Sequence, residues 1–290
     1  MIFITDLIDP EGPVILEDGR ILCVEMGSSR GCVTLINSEG KEKKIIAKTG
    51  RPNGLAIERN GVIWVAESKK PSLLKLNLDG EIEVFLEECN GEKFIFPNDL
   101  AFGPDGYLYL TDSGIYIEDL VLSGKIREDF KDINYDGRVY RINTKSKKIE
   151  KIDSKLLFTN GIAFDSDGNL YINETITGLV YSYMRKRDGS FGKKENFGNV
   201  FANEDFEGWR GPDGMKFDLN GNLYITNYEQ GEIAILGPNG GVIDRIRTIG
   251  RNPTNLCFGL KGDKSIYVTE KENSAIELIK VGVDGLALFL

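Results

Sequence analysis

Six short segments of this chain each begin on a residue with a side-chain oxygen: Glu11, Asn53, Asn98, Asn160, Asp213 and Thr254. The carboxylates and carboxamides among them are hard donors of the kind that hold calcium, magnesium or manganese. Two carboxylates aimed into one narrow space repel unless something positive sits between them. A divalent cation held by Glu11, Asp213 and one or two of the asparagines removes that repulsion. An all-oxygen ligand set points to calcium first. Turn-forming habit explains the amides, as in Pro52-Asn53 and Pro97-Asn98, but glutamate is no turn former.

The 290 residues include no histidine. Ser-His-Asp and Cys-His nucleophiles, HExxH zinc sites and every imidazole base are therefore excluded. A bound cation polarises a carbonyl or phosphoryl group beside it and stabilises the negative charge that develops there. Asp213 is then the candidate general base for water, or a direct nucleophile.

Such residues need a scaffold that brings distant segments to one place, and the segments themselves supply it. Each continues as strand, tight turn, strand, with turns at Asp18-Gly19, Asn60-Gly61, Asp105-Gly106, Asp167-Gly168 and Asn220-Gly221. A sixth, looser copy runs from Thr254 to Glu270, and a weaker strand pair follows each unit. Units recurring about every 40–60 residues predict an all-β, six-bladed β-propeller of four antiparallel strands per blade around a central channel. The expected organisation is one domain over residues 1–290, with blades starting near 11, 53, 98, 160, 213 and 254. Ile2–Thr5 or Leu286–Leu290 supplies the strand that closes the ring.

Equivalent repeat positions on innermost strands form a ring in the channel. The next position reads Gly12, Gly54, Asp99, Gly161, Gly214 and Asn255, mostly glycine, which permits close backbone approach. A second layer of acids ends the second strands at Glu25, Glu67, Asp112, Glu174 and Glu270. Hydrogen bonds to loops are the ordinary use of such residues; Glu174 and Asp112 are candidates to support the site. Chain direction puts two long connections on the ring's face: Ser113–Asp136, with Tyr116 and Phe130, and Phe201–Pro212, with Trp209 and Arg210. These are the expected substrate walls.

With 36 basic and 45 acidic residues the net charge is −9, without the basic footprint of a nucleic-acid binder. No apolar run approaches the ~20 residues that cross a bilayer, and the N-terminus does not read as a signal peptide. A cytoplasmic protein without membrane partners, monomeric or a small homo-oligomer, is expected. Cys23, Cys32, Cys89 and Cys257 lack C-x-x-C spacing, and Cys23 and Cys257 read as small buried hydrophobes.

The segments Phe96-Pro-Asn-Asp-Leu-Ala-Phe, Asn160-Gly-Ile-Ala-Phe, Gly211-Pro-Asp-Gly-Met and Gly137-Arg-Val-Tyr-Arg-Ile resemble the senescence marker protein/gluconolactonase/regucalcin family, in blade order along the chain. The resemblance implies a six-bladed propeller that hydrolyses sugar lactones, other lactones or some phosphotriesters. It implies calcium, or zinc, manganese or magnesium, on Glu11, Asn160 and Asp213. Asn98 corresponds to an asparagine that binds metal in organophosphatase-like relatives and contacts substrate in lactonases. Asn53, Trp209, Arg210 and Glu174 complete the expected substrate surroundings. Animal relatives carry an arginine two residues before the blade-three asparagine, where Phe96 stands here, so a less polar lactone is expected. The competing readings are an organophosphatase-like phosphotriester hydrolase and a non-catalytic NHL-type binding propeller.

Overall fold

The structure, a computed structural model, describes residues 1–201 and 207–289. Each Asp-Gly or Asn-Gly pair makes its hairpin. Gly19, Gly61, Gly106, Gly168 and Gly221 adopt φ between +73° and +85°, and each donates its N–H to the carbonyl three residues back. Only the glycine takes the left-handed conformation, so the turn is a type I turn closed by a glycine bulge.

Blade one comprises Pro10–Ile15, Ile21–Glu25, Cys32–Ile36 and Lys43–Lys48, and blade two Pro52–Ile57, Ile63–Glu67, Ser72–Leu76 and Ile82–Leu86. Blade three is Pro97–Phe102, Leu108–Asp112, Gly137–Ile142 and Ile149–Leu156; blade four is Thr159–Phe164, Leu170–Glu174, Leu179–Arg185 and Phe191–Asn199. Blade five is Gly211–Phe217, Leu223–Tyr228, Glu232–Leu236 and Val242–Arg247. Blade six is Pro253–Phe258, Ser265–Glu270 and Ala275–Lys280, completed by Ile2–Ile4 from the N-terminus. Innermost strands pack against those of both neighbouring blades, the sixth against the first, so this is a closed six-bladed β-propeller. Second strands such as Ile21–Glu25 and Leu108–Asp112 are buried throughout, because blades pack on both faces. All four cysteines are free and buried.

The N-terminus closes the ring. Ile2 and Ile4 pair with Glu277 and Ile276, and Ile4 and Leu7 bury themselves between blades six and one beside Ile21, Cys23 and Tyr267. The C-terminal candidate does not form a strand over its described residues, 286–289. That segment instead crosses the ends of the innermost strands. Leu286 N–H donates to the Phe217 carbonyl at 2.9 Å, and Phe289 packs 6.2 Å from Phe164. Its apolar side chains cover the channel end opposite the ring residues. Among the described residues no helix is long and apolar enough to cross a membrane.

The Ser113–Asp136 connection carries a helical turn at Ile117–Leu120, a short hairpin of Val121–Leu122 with Lys125–Ile126, and a 3₁₀ turn at Phe130–Asp132. It buries Ile115, Leu120, Phe130 and Tyr135 against Phe96, Phe158 and Trp209. Phe130 faces inward, whereas Tyr116 is exposed.

Candidate metal centre

Every innermost strand breaks register at its first residues: between Glu11 and Val14, Pro52 and Leu55, Pro97 and Leu100, Thr159 and Ile162, Pro212 and Met215, and Pro253 and Asn255. Such a bulge re-aims the side chains it carries. Here it falls on the ring residues of all six blades. The glycine that follows lets the next blade come close. A Cβ at Gly161 would lie 2.2 Å from the Asp213 carbonyl oxygen, and one at Gly54 would lie 2.6 Å from the Asp99 Cα.

Second strands then fasten the neighbouring blade's ring residue by its backbone. Thr111 Oγ1 donates to the Asn160 carbonyl at 2.6 Å, Asn173 Nδ2 to that of Asp213 at 2.6 Å, and Thr226 Oγ1 to that of Thr254 at 2.7 Å. Thr254 Oγ1, on the innermost strand of blade six, donates to the carbonyl of Pro10, the residue before Glu11, at 2.8 Å and so ties blade six to blade one.

The side chains are held from one end only. Asn98 Nδ2 donates to Ser113 Oγ at 2.9 Å, and Asn160 Nδ2 donates to Thr175 Oγ1 at 3.1 Å. Asn255 Nδ2 donates to Glu11 Oε1 at 2.9 Å. The opposite oxygens, Asn98 Oδ1, Asn160 Oδ1 and Glu11 Oε2, are buried without any hydrogen-bond partner. An unsatisfied buried oxygen costs about 1–3 kcal/mol, so three of them at three equivalent positions leave a place for hydrogen-bond donors or a cation. Asp213 is the ring carboxylate that keeps partial exposure. Among the described residues no three Asp, Glu or Cys side chains form a metal cluster by themselves, so an ion held here would need amide oxygens as well. The donors present fit a hard divalent ion.

The electrostatics agree. Burial, then the charge of Asp99, pushes Glu11 up to about 7, against opposing hydrogen bonds from Asn255, Thr254 and Gly12. Burial, then Glu11 and Asp99, raises Asp213 well above the ordinary carboxylate range, with Asn160 and Lys271 opposing. Asp99 is raised by burial and eased chiefly by Lys216. Its Oδ2 is likewise buried without a partner.

Around the mouth, Phe96 and Phe158 meet edge to face at 5.9 Å, and Trp209 packs on Phe158 at 4.9 Å and on Phe130 at 5.4 Å. The two expected walls therefore meet in one aromatic cluster, although residues 202–206 of the second lie outside the described residues. Arg210 sits elsewhere. Its guanidinium lies 4.4 Å from the Phe201 ring centroid, at a cleft of about 450 Å³ that includes none of the ring residues. Asn53 is buried in the ring, but the hydroxyl at its fifteenth following position, Ser68, bonds to Arg51 instead.

The second-layer acids hold their own blades' leading loops. Glu25 accepts from the Ile8 N–H, Glu67 from Arg51 and Lys69, Asp112 from Ile95, Phe96 and Gly114, and Glu270 from Asn252, Glu272 and Asn273. Glu174 is engaged by Leu157 N–H, Thr177 and Tyr181. Asp99, Ser113, Thr175 and Lys271 received no role from the sequence. The repeat held the signal for two of them, because Ser113 and Thr175 stand fifteen residues after their asparagines.

A family model described as the SMP-30/Gluconolactonase/LRE-like region matches residues 10–272. The chain belongs to that family. Among its SMP-30/gluconolactonase relatives, diisopropyl-fluorophosphatase of Loligo vulgaris is 29% identical over 93% of this chain and 88% of its own. A gluconolactonase of Zymomonas mobilis is 27% identical over 91% of this chain and 76% of its own. In fold the chain is similar to a solved regucalcin of Agrobacterium tumefaciens, described as a calcium-binding protein. That match has a TM-score of 0.75 and 17% identity over 98% of this chain and 95% of the other.

Proposed function

We propose that this SMP-30/gluconolactonase member is a divalent-metal-dependent hydrolase of lactones, with calcium the first candidate and magnesium, manganese or zinc the alternatives. Glu11, Asn98, Asn160 and Asp213 would hold the ion. The observation that carries this reading is the set of buried oxygens without partners, Glu11 Oε2, Asn98 Oδ1 and Asn160 Oδ1, beside the partly exposed Asp213. Relatives named gluconolactonase and lactonase support the substrate class.

When bound, the cation supplies Lewis acidity toward the ester carbonyl. The protein's own groups move the proton. A carboxylate oxygen of Asp213 takes it as water adds to the carbonyl carbon, then returns it to the ring oxygen as the ring C–O bond breaks, leaving an open hydroxy acid. Phe96, Phe158 and Trp209 cover the apolar side of the substrate, and the amide of Asn53 meets its polar groups. The pinned amides of Asn98 and Asn160 need no reordering to meet a ligand.

A second reading, phosphotriester hydrolysis with Asp213 attacking phosphorus, is favoured by the diisopropyl-fluorophosphatase relative and by the aromatic wall at Phe96. Metal analysis and a panel of lactones and phosphotriesters, assayed with and without chelator, separate the two. We expect one ion per chain and lactone hydrolysis that chelation abolishes and calcium restores. Chelator-insensitive turnover would overturn the metal reading; turnover of phosphotriesters alone would favour the second.

The pins give a subtler expectation. Ser113→Ala and Thr175→Ala should each weaken calcium binding by about 10–100-fold, as loss of a ligand-orienting partner does, with the fold intact. Calorimetric titration checks this, and unchanged affinity would mean the amides hold themselves.

A further inference from the structure

Two residues before each ring position lies the rim of the mouth, occupied on successive blades by Asp9, Arg51, Phe96 and Phe158, with Asn252 on blade six. Arg51 is out of character there. Its guanidinium carbon stands 5.0 Å from the Phe96 ring centroid, and Nη1 donates to Ser68 Oγ at 2.8 Å. Among the described residues it makes no ion pair, although it is half-buried and its guanidinium presents five N–H donors. Desolvation lowers its proton affinity below the ordinary arginine value, with Asp9, Glu67 and Glu118 opposing only in part.

These three carboxylates are not its partners. Asp9 pairs with Lys271 at 3.4 Å, and Glu118 is exposed on the insert. Glu67 accepts the backbone N–H of Arg51 on Oε1 and leaves Oε2 buried without a partner. A guanidinium whose purpose was to balance Glu67 would take that free oxygen. Arg51 instead stacks on Phe96, with its remaining donors absent from the buried unsatisfied atoms.

We propose that Arg51 is a specificity residue that binds an oxyanion substituent of the substrate, carboxylate or phosphate, remote from the reacting carbonyl. The planar fork suits either oxyanion, and the Phe96 ring and the Ser68 hydroxyl hold the guanidinium in place in advance. The proposal deepens the lactonase reading and rests on it for the reacting end of the molecule. It also amends the expectation drawn from Phe96. The cation missing from blade three stands one blade earlier, over the same ring.

The test uses the calcium-saturated protein and three open-chain acids that do not turn over: gluconate, glucarate and 6-phosphogluconate, titrated calorimetrically. Wild type should bind at least one of the last two about tenfold more tightly than gluconate, and the tighter one identifies the oxyanion. Arg51→Met should bring the three within about threefold of one another, with Arg51→Lys keeping part of the preference. The melting temperature of Arg51→Met should stay close to that of wild type, since the half-buried guanidinium gives up its bond to Ser68 and no ion pair. No preference in wild type, or the same preference in Arg51→Met, overturns the proposal. So does a marked fall in melting temperature with equal loss of all three acids, which would make Arg51 structural. If the preference holds while no lactone is hydrolysed, the hydrolase reading fails and the oxyanion site stands.

Discussion

Asp213→Asn is expected to lower kcat for lactone hydrolysis by about 10²–10⁴ even at saturating calcium, the usual effect of losing a general base. The substitution keeps size and one oxygen donor, so it separates ligation from proton transfer. Asp213 is suited to the second role because it sits among Glu11 and Asp99 in a buried setting that raises its proton affinity. It also keeps the partial exposure that water needs to reach it. Its backbone is held by Asn173 whatever the side chain, so the variant should fold. If added calcium instead restores most of the activity, Asp213 is chiefly a ligand. Near wild-type turnover without added metal would remove both roles.

Stability should depend on pH and calcium together. In the metal-free protein Glu11 holds its proton up to about pH 7, against 4.5 for an ordinary glutamate. Between these values the folded state binds more protons than the unfolded chain, so stability falls as pH rises through the window, and Asp213, raised in the same direction, adds to the fall. The expected loss is on the order of 3 kcal/mol. Calcium needs the ionised carboxylate, so its stabilisation should grow over the same interval. Melting curves from pH 4 to 8, with chelator and with calcium, should therefore diverge toward high pH. Glu11→Gln should make the chelator curve shallower, with Asp213 supplying the remaining slope. Parallel curves would remove Glu11 from the site.

The propeller was legible because its signals are local and recur. Asp-Gly and Asn-Gly turns need only neighbouring residues, and alternating apolar pairs report burial strand by strand. The ring of Glu11, Asn53, Asn98, Asn160, Asp213 and Thr254 was legible for a related reason: in a closed repeat, equal sequence positions become neighbours in space. Glycine at the next position could be read as close approach, and the Gly161 contact with Asp213 bears that out.

Differences among those equal positions were decided only by the tertiary structure. Thr254 carries the same kind of oxygen as Asn98, yet its hydroxyl is used in closing blade six onto blade one. Asn98 and Asn160 are pinned by hydroxyls just past the end of the adjacent strand, while Ser68 at the matching place serves Arg51. Composition does not distinguish Ile2–Thr5 from the C-terminal apolar run; the groove between blades six and one accepts Ile4 and Leu7, and the tail covers the far end of the channel. Phe96 taken alone suggests an apolar rim, but Arg51 from the preceding blade lies across it. Periodicity determines which residues share a ring. Which oxygens remain unpaired, and which cation reaches the mouth, depends on side chains contributed by neighbouring strands and blades, contacts that one-dimensional order does not encode.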